Sequence, residues 1–220
     1  MTAPVFAKTA LAASVFASAL AFAATLAPMA ASAGETTALH HAAIADDHAR
    51  AAELIAAGVA LDATDDAGNT PLHYAVQRRD DTLAALLIAN GAAVNQPNRA
   101  GWMPLHYVVL NDNAENAARL IAAGAEVNAV RAGRWTPLLG AAWMDAARVA
   151  ELLLNHGASC CAADPLGNTA LHYAAQRNHA ATAELLLLHG ADRAARNAAG
   201  DTPLAIAQRR AHSNFIRVLQ

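Results

Sequence analysis

Residues 69–80 read NTPLHYAVQRRD, a stretch that sets a proline, a histidine and a tyrosine within one apolar patch. Alone, it fits a turn, a helix start or the edge of a reactive site. Its recurrence decides. Thr37-Ala38-Leu39-His40-His41-Ala42 precedes Thr70-Pro71-Leu72-His73-Tyr74-Ala75, and Met103-Pro104-Leu105-His106-Tyr107-Val108 and Thr136-Pro137-Leu138-Leu139-Gly140-Ala141 follow. The last two copies are Thr169-Ala170-Leu171-His172-Tyr173-Ala174 and Thr202-Pro203-Leu204-Ala205-Ile206-Ala207. Each starts 33 residues after the one before, and Gly58, Gly91, Gly124, Gly157 and Gly190 keep the same interval in a second register. Two registers without a slip mark a repeat protein, so the stretch belongs to its scaffold.

Local physical chemistry builds each unit. Thr70 suits an N-cap, where a side-chain oxygen accepts from backbone N–H groups. Pro71 suits the first helical position, where its missing N–H gives up no hydrogen bond. Leu72, Ala75 and Val76 then share one helical face. A break at Arg79-Asp80 precedes a second apolar run from Leu83 to Ala89, and Gly91 stands where a left-handed C-cap is wanted. Asp65-Asp66-Ala67-Gly68-Asn69 is rich in turn formers. A unit is therefore two antiparallel helices and a projecting turn, with small alanines that let helices sit close together. One pair cannot bury its apolar face alone, whereas stacked neighbours build a continuous core. The expected fold is an all-α solenoid of six units, at about 34–64, 65–97, 98–130, 131–163, 164–196 and 197–220.

The period and the Thr-Pro-Leu-His-x-Ala core resemble the ankyrin repeat, and the resemblance runs from Gly34 to Gln220. It implies helix–turn–helix units with projecting β-turns or short hairpins. It also implies that His40, His73, His106 and His172 bond backbone or threonine groups around the turns, tying units together. Equivalent histidines of stacked units lie a repeat spacing apart, too far to share an ion, so no metal site is expected from them. His156 and His189 close second helices just before Gly157 and Gly190, where a partly cationic ring suits the helix end. No cofactor is expected.

Residues 1–33 stand outside the repeats. Lys8 is the only charge before Glu35, and an apolar stretch from Ala10 to Ala27 leads to Ala31-Ser32-Ala33. A basic start, an apolar middle and small residues at the end read as a secretory signal cleaved after Ala33. A membrane anchor is the alternative, since the stretch is about long enough to span. Alanine, Ser14, Ser18 and Thr25 dilute it. The alanine-rich, lysine-poor composition has a bacterial look, so the expected destination is the periplasm. The formal net charge is −3, and cleavage would remove Lys8, the only lysine. Mild acidity and export both argue against nucleic acid as a partner. A monomer with no membrane contact after cleavage is expected.

Cys160 and Cys161 are the only cysteines and are adjacent. Neighbouring cysteines bridge only through a strained ring. One valine-like buried thiol beside a partly exposed one is the expected arrangement, with a redox-responsive pair or a pairing between molecules as the alternative.

In the resemblance, partners lie along the concave surface of turns and first helices, at positions the repeat consensus leaves free. Trp102, Trp135 and Trp143, all the tryptophans of the chain, fall on such positions in two adjacent units. Trp102 and Trp135 share one register, with Leu110 and Met144 near them by the same count. Arg78, Arg99 and Arg177 flank them. Exposed aromatic clusters mark partner surfaces, and tryptophan and arginine dominate interface hot spots. The fourth unit is irregular: Gly133 comes one residue early, Arg134 holds the expected glycine, and Leu139-Gly140 replaces His-Tyr.

The sequence supports first a non-enzymatic scaffold that binds one protein on its concave face. The resemblance extends to exported members linked to catalase and oxidative defence, and an inhibitor neutralising a toxic enzyme needs the same groove. An enzyme would need parts the chain lacks, such as Gly-x-Ser-x-Gly, a phosphate loop or His-Glu-x-x-His. A redox or haem-handling accessory using Cys160 and Cys161 lacks the Cys-x-x-Cys-His signature.

Overall fold

The computed structural model describes residues 37–220, so the expected signal segment lies outside the described residues. Twelve α-helices run through them in six pairs. The first helices are α1 (Ala38–Ala45), α3 (Pro71–Gln77), α5 (Pro104–Leu110), α7 (Pro137–Met144), α9 (Ala170–Arg177) and α11 (Pro203–Arg209). The second are α2 (His48–Ala56), α4 (Asp81–Ala89), α6 (Ala114–Ala122), α8 (Ala147–Asn155), α10 (Ala180–Leu188) and α12 (Ser213–Leu219). Each first helix touches its own second helix and the first helices of the adjoining units, and the second helices touch one another in the same order. This is the expected all-α solenoid in two helical layers. No helix among the described residues is long and apolar enough to cross a membrane.

The core lies between the layers. Leu72, Ala75 and Val76 of α3, with Leu83, Ala84 and Leu87 of α4, are fully buried, and Leu105, Val108, Leu120, Leu138, Leu153, Leu171 and Leu186 repeat the theme. Alanine at the crossing points lets short helices approach. Most helices here have seven to nine residues, too short to be stable alone, so packing holds them. Prolines 71, 104, 137 and 203 each open a first helix, as expected. Phe215 and Leu219 of α12 close the core at the last unit.

The histidines of the regular units act as fasteners. The backbone N–H of Thr70 donates to His73 Nδ1 at 3.0 Å, which makes Nδ1 an acceptor and places the ring proton on Nε2. That Nε2–H donates to the carbonyl of Trp102 in the next unit at 3.0 Å. His40 reaches Asn69 O at 2.9 Å and His172 reaches Asp201 O at 3.0 Å in the same way. The threonine hydroxyls of Thr37, Thr70 and Thr169 lie 2.8–2.9 Å from the same Nδ1 atoms. Each ring thus spans one first-helix start and the following turn. His156 and His189 cap their helices instead, each donating from Nδ1 to the carbonyl four residues back at 2.9 Å.

Candidate protein-interaction site

The turns present the variable surface, and most are built around an acidic or amide side chain. Asp65 Oδ1 accepts from the N–H groups of Ala67 and Asn69, at 2.9 and 2.8 Å. Asn98, Asp164 and Asn197 do the same at their own turns. Burial alone would raise the Asp65 carboxyl, but the Tyr74 hydroxyl and those N–H groups outweigh it and hold it below its ordinary value. Tyr173 donates likewise to Asp164. The turns also touch one another: Arg99 N–H donates to Ala67 O at 2.9 Å and Ala198 N–H to Leu166 O at 2.8 Å. Gly68 is required at this contact, because a Cβ there would stand 2.7 Å from the Arg99 backbone nitrogen.

Unit four departs from this plan at one residue. In the register of Asp65, Asn98, Asp164 and Asn197 it carries Arg131, a donor where the turn needs an acceptor. The backbone bond that closes the turn survives, from Arg131 N–H to Trp135 O at 3.0 Å. The interior of the turn is rewound into a 3-10 segment, Ala132–Arg134, with both Gly133 (φ 76°) and Arg134 (φ 56°) left-handed. The same unit has Gly140 where units two, three and five have tyrosine, and the Trp135 indole fills that space. A Cβ on Gly140 would meet Trp135 Nε1 at 3.3 Å and Val109 Cγ1 at 3.2 Å.

Trp135 therefore corrects the sequence expectation of three exposed indoles. It is 6% exposed and packs edge-on against Tyr173, ring centroids 4.9 Å apart. It substitutes for the missing tyrosine of its own unit. Trp102 and Trp143 are half-buried. Trp102 lies 5.2 Å from the Tyr107 ring and Trp143 5.6 Å from the Tyr173 ring. Arginines complete a ladder across units three to five. The Arg131 guanidinium sits 4.2 Å from the Trp102 ring centroid and 5.7 Å from that of Trp135, and Arg177 sits 4.2 Å from Trp143. Cation–π pairs of this kind are worth about 0.5–2 kcal/mol.

Arg131 is the residue that sequence reading missed. The signal was present: it is the one cation in a register of Asp and Asn. Of the arginines named from the sequence, Arg177 joins the ladder, while Arg78 and Arg99 are exposed on units two and three. Met144 is 39% exposed at the end of α7, and Leu110 is half-buried at the end of α5. The His106 fastener is also altered here. Met103 replaces threonine at its helix start, and buried Nε2 lacks the close carbonyl bond of the other rings, with only a weaker pull from the Trp135 carbonyl. Burial, and next the Arg131 cation, push its ring down to about 4.

The remaining chemical candidates resolve simply. Cys160 is half-buried, Cys161 is exposed, and both are free thiols. Burial and then its neighbour Cys161 raise the Cys160 thiol, which disfavours the reactive thiolate. Asp46, His48 and Asp80 bring one nitrogen and two carboxylates together. His48 Nε2 lies 2.8 Å from Asp80 and 3.3 Å from Asp46, an ion pair that raises the imidazole and ties unit one to unit two. A polar cleft lined by Arg79, Asp112, Glu115 and Arg148 has a volume of about 170 Å³, less than the roughly 300–1,000 Å³ of small-molecule sites.

Stacked helical pairs whose turns carry the variable side chains make a scaffold for contact with another macromolecule. Comparison with family models agrees: "Ankyrin repeats (many copies)" matches residues 54–108, "Ankyrin repeat" residues 133–165 and "Ankyrin repeats (3 copies)" residues 159–220. The chain belongs to the ankyrin-repeat family, whose members are typically non-enzymatic protein–protein interaction modules. A search of the curated proteins finds no match.

Proposed function

We propose that the chain is an exported, monomeric scaffold that holds one protein partner along the concave face of units two to five. The observation that carries this reading is the arginine–tryptophan ladder. Its half-buried members, Trp102 and Trp143, offer large apolar edges beside exposed Met144. Arg78, Arg99 and Arg177 add exposed positive charge around them, although the chain as a whole is acidic. A partner suited to that surface is apolar at its centre with acidic edges, because cations at the rim favour approach of the opposite charge. Trp135 contributes by holding the ladder from within and not by direct contact.

Export rests on Lys8, the apolar stretch from Ala10 to Ala27 and the small residues ending at Ala33. It places the mature chain in the periplasm, where a supporting role in oxidative defence is open to a protein-holding scaffold. Intact mass of the recovered protein tests cleavage after Ala33. For the binding face, the chain and its Trp102→Ala, Trp143→Ala variant are recovered from periplasm with whatever each holds. The expected result is a partner retained by the parent and lost, at least tenfold, by the variant. Equal retention by both would exclude this face.

A further inference from the structure

Arg131 is a cation enclosed by the protein without an anion. The residue is 9% exposed, and its Nε is buried with no hydrogen-bond partner. Among the described residues no carboxylate forms an ion pair with it; the five ion pairs there involve Arg50, Arg119, Arg209 and His48. The rings of Trp102 and Trp135 attract a cation but accept no directed hydrogen bond from its fork, and Tyr107 and His106 lie near enough to feel its charge. Burial lowers its affinity for the proton, to a pKa of about 10, which still leaves it charged at neutral pH.

Such an arrangement is unfavourable for folding alone. A buried charge is ordinarily paired, since desolvation outweighs what π faces return. Position sharpens the point. Every other turn in this register spends an Asp or Asn on its own backbone, and unit four gives up those bonds to hold a guanidinium beside two indoles. The Trp102 ring, 4.2 Å from the guanidinium carbon, backs the fork, and a planar fork matches one ligand chemistry best, a carboxylate held by two parallel N–H groups.

We infer that Arg131 is the receptor for an acidic side chain, Asp or Glu, of the protein partner, with Trp102 gripping the apolar residues beside it. The inference deepens the proposed function and rests on it. Charge complementarity selects the occupant: Arg99, Arg134 and Arg177 are exposed on the turns and first helices of units three to five, so an acidic segment meets cations on each side of the one that is enclosed.

The test uses peptides of twelve residues selected from a random display library on the full chain. The best binder is then compared with its own Asp→Asn or Glu→Gln version on the parent chain, on Arg131→Met and on Arg131→Lys. The expected result is an acidic position in the selected peptides, whose amide version binds the parent at least tenfold more weakly. On Arg131→Met the two versions should bind within twofold of each other, while Arg131→Lys keeps the acid preference in reduced form. Melting curves of both variants establish that they fold, and Arg131→Lys carries the comparison if Arg131→Met does not. An undiminished tenfold preference on Arg131→Met, or selected peptides without an acidic position, overturns the inference. Trp102→Ala, Trp143→Ala separates the two levels: peptides indifferent to it remove the binding face itself, whereas peptides that need the tryptophans but not the acid remove only the role of Arg131. Acetate at 100 times the peptide concentration should displace nothing, since the site takes a carboxylate carried by a protein segment; displacement would make it a free-anion site and overturn the inference.

Discussion

Unit five and unit four share one length and one pair of helices, yet their turns follow different paths and are held by different chemistry. Unit five has Asp164 accepting from two turn N–H groups and from Tyr173, and His172 fastened to the next turn. Unit four has Arg131, Trp135, Leu139 and Gly140 where unit five has Asp164, Asn168, His172 and Tyr173. Its left-handed Arg134 stands where unit five has Gly167, a conformation that costs a side chain about 1–2 kcal/mol. Polar groups that bond one another make a rigid, self-sufficient turn. Aromatic rings around a lone guanidinium make a turn whose polar capacity is unused within the chain. Departures from a repeat that lower its own stability are expected where a surface serves something else.

The largest effect expected from this contrast is pH dependence. Burial lowers the imidazoles of His40, His73, His106 and His172, the second and third to about 4. An unfolded histidine takes its proton near pH 6.5, so between about 6.5 and 4 the unfolded chain binds more protons than the folded one. Stability is therefore full above pH 6.5 and falls as pH drops toward 4, by several kcal/mol in all. Denaturant titrations at pH 7.5 and 4.5 measure it, and equal midpoints would refute buried neutral rings.

Next is a direct comparison of two fasteners. His73→Ala leaves a turn carbonyl and a threonine cap without partners and is expected to destabilise by about 2–3 kcal/mol. His106→Ala removes a ring whose Nε2 is held only weakly by the next turn and is expected to lose about half as much. The reverse order in urea titrations would show that the third junction is fastened like the others.

Smaller again is Arg134→Gly, which relieves the left-handed conformation without touching the ladder and should stabilise by about 1 kcal/mol. Smallest is Cys161→Ser at an exposed thiol, expected within about 0.5 kcal/mol of the parent.

Most of the fold was legible because every element carries its own local reason. Pro71 starts a helix, Gly91 ends one, and the leucines between them can face only the neighbouring unit. The candidate site was legible in part. Trp102, Trp143 and Arg177, which the structure gathers into the ladder, stand out in the sequence because they sit where the repeat leaves freedom. Trp135 shares that register but turns inward, and the cause is a glycine five residues later that vacates a tyrosine's volume. Such compensation between positions shows only when side chains are placed in space. Arg131 carries no motif of its own, and its only sequence signal is the missing acceptor in the register of Asp65, Asn98, Asp164 and Asn197.

One variant tests the contrast most directly. Carrying unit five's residues into unit four, as Arg131→Asp, Arg134→Gly, Trp135→Asn, Leu139→His and Gly140→Tyr together, restores the polar turn and its fastener. Its melting temperature and its binding of peptides selected on the parent are measured side by side. The expected result is a melting temperature higher by roughly 5–10 °C with peptide binding weakened more than tenfold. A variant that melts below the parent and binds as well would contradict the view that unit four exchanges stability for recognition.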